Sequence, residues 1–310
     1  MLRGNSVLEN SLLLGNGINR CLISNVAWGD LLNNLANEYG VECSRKLSFP
    51  LEFECIANQI LERDSQAGEL LYHELKENII AQIKGCVLPS TNPHVALSSL
   101  PVSSILTTNY EYLIEQSIEK SFSASQVKRK NGDRYNLRSA NLVNGISVYH
   151  IHGEMKYVDS LCLGYEHYSG TLQNLRANYA ATDKKTDQLK IQSILTELPI
   201  QNIWSDKIFL DNIDIIGFGL SQSEIDIWWL LTYRAYLFFT NKKGLAKFIN
   251  NIIVFHHVSP SIDENMKYAL EKLHVVYAFH KIKDNSNEAY FKGYIEVAQQ
   301  LKETYSLRQQ

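Results

Sequence analysis

Four short, nearly continuous apolar runs in this 310-residue chain each break off into glycine, asparagine or histidine, and this pattern narrows the fold more than any other feature. Leu12–Leu14 runs into Gly15-Asn16-Gly17-Ile18-Asn19, and Ser104–Leu106 into Thr107-Thr108-Asn109-Tyr110-Glu111. Ile146–Ile151 runs into His152-Gly153, and Ile213–Ile216 into Gly217-Phe218-Gly219-Leu220-Ser221. Strands without polar alternation must be covered on both faces, which is the condition of a parallel sheet between helices.

The intervening segments carry the helical period. Residues 28, 31, 32, 35 and 39 recur on one face, and Leu70, Leu71, Leu75, Ile79, Ile80 and Ile83 on another, so a helical insertion is expected at about 40–90. Asn92-Pro93-His94 opens a short helix, residues 123–150 read as a hairpin, and residues 171–200 as mixed helical material. Helix and strand then alternate to the C-terminus. The fold class expected is α/β: a Rossmann-like, mostly parallel sheet with helices on both faces, a helical insertion and no zinc ribbon, forming one domain over residues 1–310.

Composition excludes several function classes. Thirty basic against 33 acidic side chains give a net charge of -3, too weak a field to recruit nucleic acid. The one basic cluster, Lys128 to Lys130 with Arg134 and Arg138, reads as a solvated hairpin. The five cysteines are odd in number and have no CxxC pair, which fits reduced, buried thiols and argues against a disulfide framework or a structural zinc. No apolar stretch reaches about 20 residues, so a cytoplasmic protein with no membrane span is expected.

In an open parallel sheet, ligands bind beyond the carboxyl ends of the strands, which makes the four strand ends the candidate site. Gly15 and Gly17 leave backbone N–H groups free to meet a diphosphate, although the third glycine of GxGxxG is missing and a tight structural turn fits equally. Asn109 could orient a ligand or a water, or could cap the next helix together with Thr108. His150 and His152, two apart on a strand, would face one side, as a site pair, as one core and one surface histidine, or as a metal pair, for which the sequence offers no third ligand at informative spacing. His256 and His257 are adjacent and point to opposite faces, so no shared metal is expected there. Ser221 and Glu224 have the spacing of a capping box, with Asp226 close behind, so capping is the first use expected of them and contact with a cofactor the second. The aromatic helix bearing Trp228, Trp229, Tyr233, Tyr236, Phe238 and Phe239 is expected to be buried, to form an oligomer interface, or both.

In their order and spacing, GNGIN, NPHVALSSLPVSSILTTNYE, VYHIHG and IIGFGLSQSEID resemble the sirtuin fold family over residues 10–260. More narrowly, they resemble the bacterial sirtuin-like NAD-cleaving effectors of anti-phage defence. Trp28 in AWGDLL and the SLCLGYEHY run ending at Tyr168 are similar to segments of that subgroup. The resemblance implies that Gly15, Asn16, Gly17, Ile18 and Asn19 hold the NAD diphosphate. It places Asn109 at the nicotinamide ribose, counts Thr108 among the cofactor-binding residues and makes His152 the catalytic histidine. Gly217, Phe218, Gly219 and Ser221 would line the ribose and adenine side.

The chain departs from the protein deacylases of that family in lacking their zinc-binding cysteine pairs, in having Glu111 where Asp is usual, and in having GNGIN for their glycine-alanine-glycine turn. Lysine deacylation is therefore the reading most weakened. The activity implied is NAD hydrolysis to nicotinamide and ADP-ribose, with Asn109 and His152 catalytic, NAD as substrate and no metal. A gated NAD-depleting effector is implied, triggered by homo-oligomer assembly or a partner protein. The alternative is an NAD- or ADP-ribose-binding module without turnover, which would not need to keep both Asn109 and His152.

Overall fold

Strand β1 (Asn10–Leu14) sends Leu12 and Leu14 into one apolar core and Leu13 into another, which is why this short run has no polar alternation. The computed structural model describes residues 8–21, 28–66, 68–84, 92–127, 135, 137–181, 190–196 and 203–308. The basic residues 128–134 and Cys86 lie outside these. After β1 come a 3-10 turn (Asn16–Cys21) and helices α1 (Trp28–Tyr39), α2 (Phe49–Arg63), α3 (Gly68–Ile83) and α4 (Pro93–Ser98). Strand β2 (Ser104–Thr107), α5 (Leu113–Ile118), β3 (Asn141–Val143), β4 (Ile146–His150), α6 (Tyr165–Tyr179), α7 (Lys190–Thr196) and α8 (Lys207–Leu210) follow. The last third comprises β5 (Asn212–Ile216), α9 (Ile225–Thr240), β6 (Ile253–Ser259), α10 (Glu264–Lys272), β7 (Val276–Lys281) and α11 (Asn287–Arg308).

Among the described residues the strands form one seven-stranded sheet in the order β3-β4-β2-β1-β5-β6-β7. All pairings are parallel except that of the edge strand β3 with β4, which a tight Asn144-Gly145 turn closes with both residues at positive φ, 46° and 85°. The expected α/β architecture is therefore present. Leu13, Leu106, Ile213 and Ile215 pack under α6 to α9, while Leu12, Leu14, Ile105 and Val148 pack under α4, α5 and α11. Each such buried side chain contributes about 1.5–3 kcal/mol, so both faces of the sheet are strongly held.

Helices α1 to α3 form the insertion, which starts at Trp28, earlier than expected. They share a third apolar core with Tyr110, Leu161 and Leu163, so the insertion rests on the segments that follow β2 and β4. Pro93 sits at the start of α4, and the Asn92 side chain accepts the Val95 N–H. Cys162 is buried, while Cys43 and Cys55 are only half-buried, and all three are free thiols. Among the described residues no helix is long and apolar enough to cross a membrane.

Chain direction reverses about β1, with β2 and β4 on one side and β5, β6 and β7 on the other. The carboxyl ends of β1, β2 and β5 therefore come together at the switch point, where an open α/β sheet has its crevice.

Candidate active site

A cavity of about 610 Å³ opens at this switch point. Its wall takes Asn16 and Gly17 from after β1, Thr108 and Tyr110 from after β2, His152 from after β4, and 217–224 from after β5. Leu47, Ser48 and Phe49 reach it from the insertion, and His256 and His257 from β6. Of the residues expected from the sequence, Asn16, Gly17, Thr108, His152, Gly217, Phe218, Gly219 and Ser221 line it. Gly15, Ile18, Asn19 and Asn109 do not, and each has a physical reason.

The two glycine loops pack backbone against backbone. Gly17 donates its N–H to the Gly217 carbonyl at 2.7 Å, and a Cβ on Gly15 or Gly17 would lie 2.6 Å from that oxygen. Gly217 is held at φ 65°, a conformation that suits glycine, and Ile18 packs against it in the core. Gly15 and Ile18 therefore build the loop contact. Gly219 differs, because a Cβ there would meet nothing within 4 Å.

Asn19 is committed elsewhere. Its amide donates to Asn16 at 2.8 Å and to Glu111 at 2.9 Å, and its oxygen accepts from His94 Nε2 at 2.7 Å. Burial lowers His94 to about 4, so the ring is neutral, and burial also raises the Glu111 carboxyl against the hydrogen bond from Asn19. Asn19 thus ties the GNGIN turn to the segment after β2.

Helix α5 begins at Leu113, so neither Thr108 nor Asn109 caps it, contrary to one expected use. Asn109 is 1% exposed, and among the described residues its amide nitrogen and oxygen have no hydrogen-bond partner. Leaving such a group unsatisfied costs about 1–3 kcal/mol, which a polar ligand reaching between the lining residues Thr108 and Tyr110 would relieve.

The two histidines of HIHG do not face one side, because β4 ends at His150 and His152 lies in the turn beyond it. His150 donates from Nδ1 to the Asn109 carbonyl at 2.6 Å and from Nε2 to Glu115 at 2.9 Å. A ring donating from both nitrogens is an imidazolium. Burial opposes that charge, but Glu115, Glu154 and the Asn109 carbonyl outweigh it and raise His150 to about 9. This buried cation fixes the backbone of Asn109.

His152 donates from Nε2 to Asp226 Oδ2 at 3.0 Å, with Tyr168 edge-on to its ring at 5.2 Å. Burial again opposes protonation, and Asp226, reinforced by Glu224, outweighs it and raises His152 above its ordinary 6.5. Asp226 is fully buried, and its second oxygen accepts the Ile227 N–H. The capping box expected of Ser221 and Glu224 is absent: Glu224 precedes α9 without a side-chain cap, and Ser221 Oγ bonds Ser223 Oγ at 2.6 Å. Glu224 turns instead towards His152, with Oε2 3.7 Å from Nε2. Burial, offset in part by His152, raises its carboxyl to about 7.

His152, Glu224 and Asp226 also place one ligand atom each within 4.8 Å of one another, a spacing at which a divalent cation could be held. Below the cavity His256 bonds Asp214 at 2.8 Å and His280 at 2.9 Å, while His257 bonds the Tyr277 hydroxyl. The two adjacent histidines therefore do part to opposite faces. Asp226 and Glu224 thus take the second use that the sequence allows them, contact at the site, and not the cap. The signal lay in SEID, where the capping pattern gave a simpler account of the same residues.

A mostly parallel sheet with a crevice at its switch point, two packed glycine loops and a buried histidine just past a strand end define a Rossmann-like α/β protein with a ligand site at the strand ends. Residues 103–228 match the SIR2-like domain, so the family resemblance carried by the strand-end motifs is borne out over that stretch. The chain is similar to the NAD(+) hydrolase ThsA of Enterococcus faecium, 28% identical over 143 residues, which are 46% of this chain and 27% of that protein. It is also similar to the NAD(+) hydrolase ThsA of Bacillus cereus (strain MSX-D12), 22% identical over 164 residues, 52% of this chain and 32% of that protein. The matched stretch thus spans about a third or less of the length of these relatives.

Proposed function

We propose that this chain hydrolyses NAD at the nicotinamide–ribose bond, giving nicotinamide and ADP-ribose. The observation that carries the reading is the Asp226–His152 pair at the cavity wall. With Nε2–H given to a buried carboxylate, the neutral ring keeps its base at Nδ1 and cannot turn freely. An oxocarbenium-like transition state needs an oriented ribose, a nearby base and an admitted water. Asn109, its carbonyl fixed by His150 and its amide otherwise unsatisfied, supplies an uncharged hydrogen-bonding group for ribose or water.

The paired glycine loops give the cofactor a close backbone, and Gly219 gives it room. Arg20, whose guanidinium lies 4.1 Å over the Tyr290 ring, is the one Lys or Arg among the described lining residues and faces the diphosphate. The names of the two relatives support hydrolysis over binding alone.

Unchecked NAD hydrolysis would kill the cell that makes the enzyme, so the activity is gated. We place it in anti-phage defence in the cytoplasm, as an effector that depletes NAD when homo-oligomer assembly or a partner protein triggers it. The test is to incubate purified protein with NAD and follow nicotinamide and ADP-ribose by chromatography, alongside His152→Ala and Asn109→Ala. Release that both substitutions abolish supports the reading. Silence of the wild type, both purified and as NAD loss in cells expressing it with its genomic neighbours, overturns it in favour of a binding role.

A further inference from the structure

We propose that Glu224 is a third catalytic residue, its carboxylate facing the ribose to stabilise the positive charge that develops there as nicotinamide leaves. This rests on the hydrolase reading above and adds a charged group beside the ribose, where that reading placed His152 and Asn109.

Three observations carry the assignment. Among the described lining residues Glu224 is the only carboxylate, since Asp226 is sealed behind His152. It does not serve the helix it precedes: it makes no side-chain cap on α9, and Ser221, its expected capping partner, bonds Ser223. Its Oε2 is buried with no hydrogen-bond partner among the described residues, 3.7 Å from the catalytic histidine. A carboxylate that caps nothing, is held by a hydrogen bond with Tyr168 and keeps Oε2 unpartnered and desolvated on a cavity wall suits stabilisation of a cation that forms only in the transition state.

The chemistry balances without a further reagent. The C1′–N bond breaks with its electron pair going to the pyridinium nitrogen, so nicotinamide leaves neutral and the positive charge passes to the ribose. Glu224 as carboxylate faces that charge. Water then adds to C1′, and its proton passes to His152 and on to solvent.

The groups around Glu224 set when it is ionised. They are His152 in the turn after β4, Asp226 on α9, Tyr168 on α6, and Tyr110 and Cys162 in the adjoining segments. Burial is the largest influence and raises the carboxyl, with His152 as the main counterweight.

The test compares wild type, Glu224→Gln and Glu224→Asp in the full chain, with NAD turnover by chromatography, NAD affinity by calorimetry and thermal melting. Glu224→Gln is expected to lose at least about 100-fold in kcat with NAD affinity within threefold, the mark of an interaction made only in the transition state. Glu224→Asp, which keeps the charge, is expected to recover at least tenfold of that loss. Full turnover by Glu224→Gln would overturn the assignment while leaving the hydrolase reading intact. A silent wild type, purified and in cells, would remove both. Should Glu224→Gln fail to fold, the ratio of Glu224→Asp to Glu224→Ala carries the comparison, and equal activities would overturn the role.

Discussion

His152 Nε2 lies 3.0 Å from the Oδ2 of Asp226, a carboxylate with no exposed surface, 74 residues away in the chain. A buried acid that fixes one nitrogen of a histidine sets which nitrogen is the base and raises the ring's affinity for a proton. Asp226→Asn keeps the shape and removes both effects. We expect kcat for NAD to fall about 100- to 10,000-fold with KM within threefold, by analogy with other acid-oriented histidine bases.

The pH profile separates this role from a packing role. In the wild type His152 must be neutral with its value raised above the ordinary 6.5, and Glu224 must be ionised with its value raised to about 7, so activity climbs as pH rises from the acid side. Without the Asp226 charge, burial dominates and pushes the ring down, so in Asp226→Asn the residual activity should reach its plateau at lower pH. A profile that falls in height without moving would mean that Asp226 only supports packing.

His150 provides a stability signature. Its folded value of about 9 lies above the ordinary 6.5, so its stabilising contribution is fully present below about 6.5 and is lost as pH rises through 9. The shift corresponds to about 3 kcal/mol. Denaturant midpoints of the wild type are expected to fall between pH 7 and 9.5. Glu115→Gln, which removes the main charge partner, should be destabilised by about 3–5 kcal/mol at pH 7 and should show a flattened pH dependence.

The fold was legible in the sequence wherever burial leaves a periodic mark. Leu12–Leu14 and Ile213–Ile216 could only be covered strands, and the polar groups that end them marked the crevice. His152 could be read because it sits in a strand-end motif. Asp226 and Glu224 had contact at the site only as their second reading, because Ser-x-x-Glu before an apolar helix signals a cap and nothing in one-dimensional order shows that the turn after β4 comes within 4 Å of them. Asn19 lies off the cavity for a related reason: two of its three hydrogen bonds reach residues 94 and 111, and pairings that distant leave no local signature.

Arg20 tests how the substrate is anchored. Cation–π contact with Tyr290 at 4.1 Å holds the guanidinium at the cavity rim, where a dianionic diphosphate gains a charge-assisted contact. Arg20→Ala should raise KM for NAD about tenfold with kcat within threefold, and the effect should shrink as salt is added. Tyr290→Leu, which frees the guanidinium without removing it, should give a smaller increase. If Arg20→Ala changes kcat and leaves KM alone, the diphosphate is held elsewhere.

Two glycines one loop apart should fail in opposite ways. A methyl on Gly17 would lie 2.6 Å from the Gly217 carbonyl and 2.7 Å from the Tyr294 hydroxyl, so the paired loops must separate. Gly17→Ala is expected to be destabilised by about 1–3 kcal/mol in thermal or denaturant unfolding, whatever ligand is present. A methyl on Gly219 would meet no protein atom within 4 Å, so Gly219→Ala should unfold like the wild type. Its methyl stands where the cofactor is read to lie, and KM for NAD should rise about tenfold, a cost of about 1.4 kcal/mol in binding. A Gly219→Ala variant that is stable and has unchanged KM would show that NAD does not reach the loop after β5, and would move the adenine side of the site towards His256 and His257.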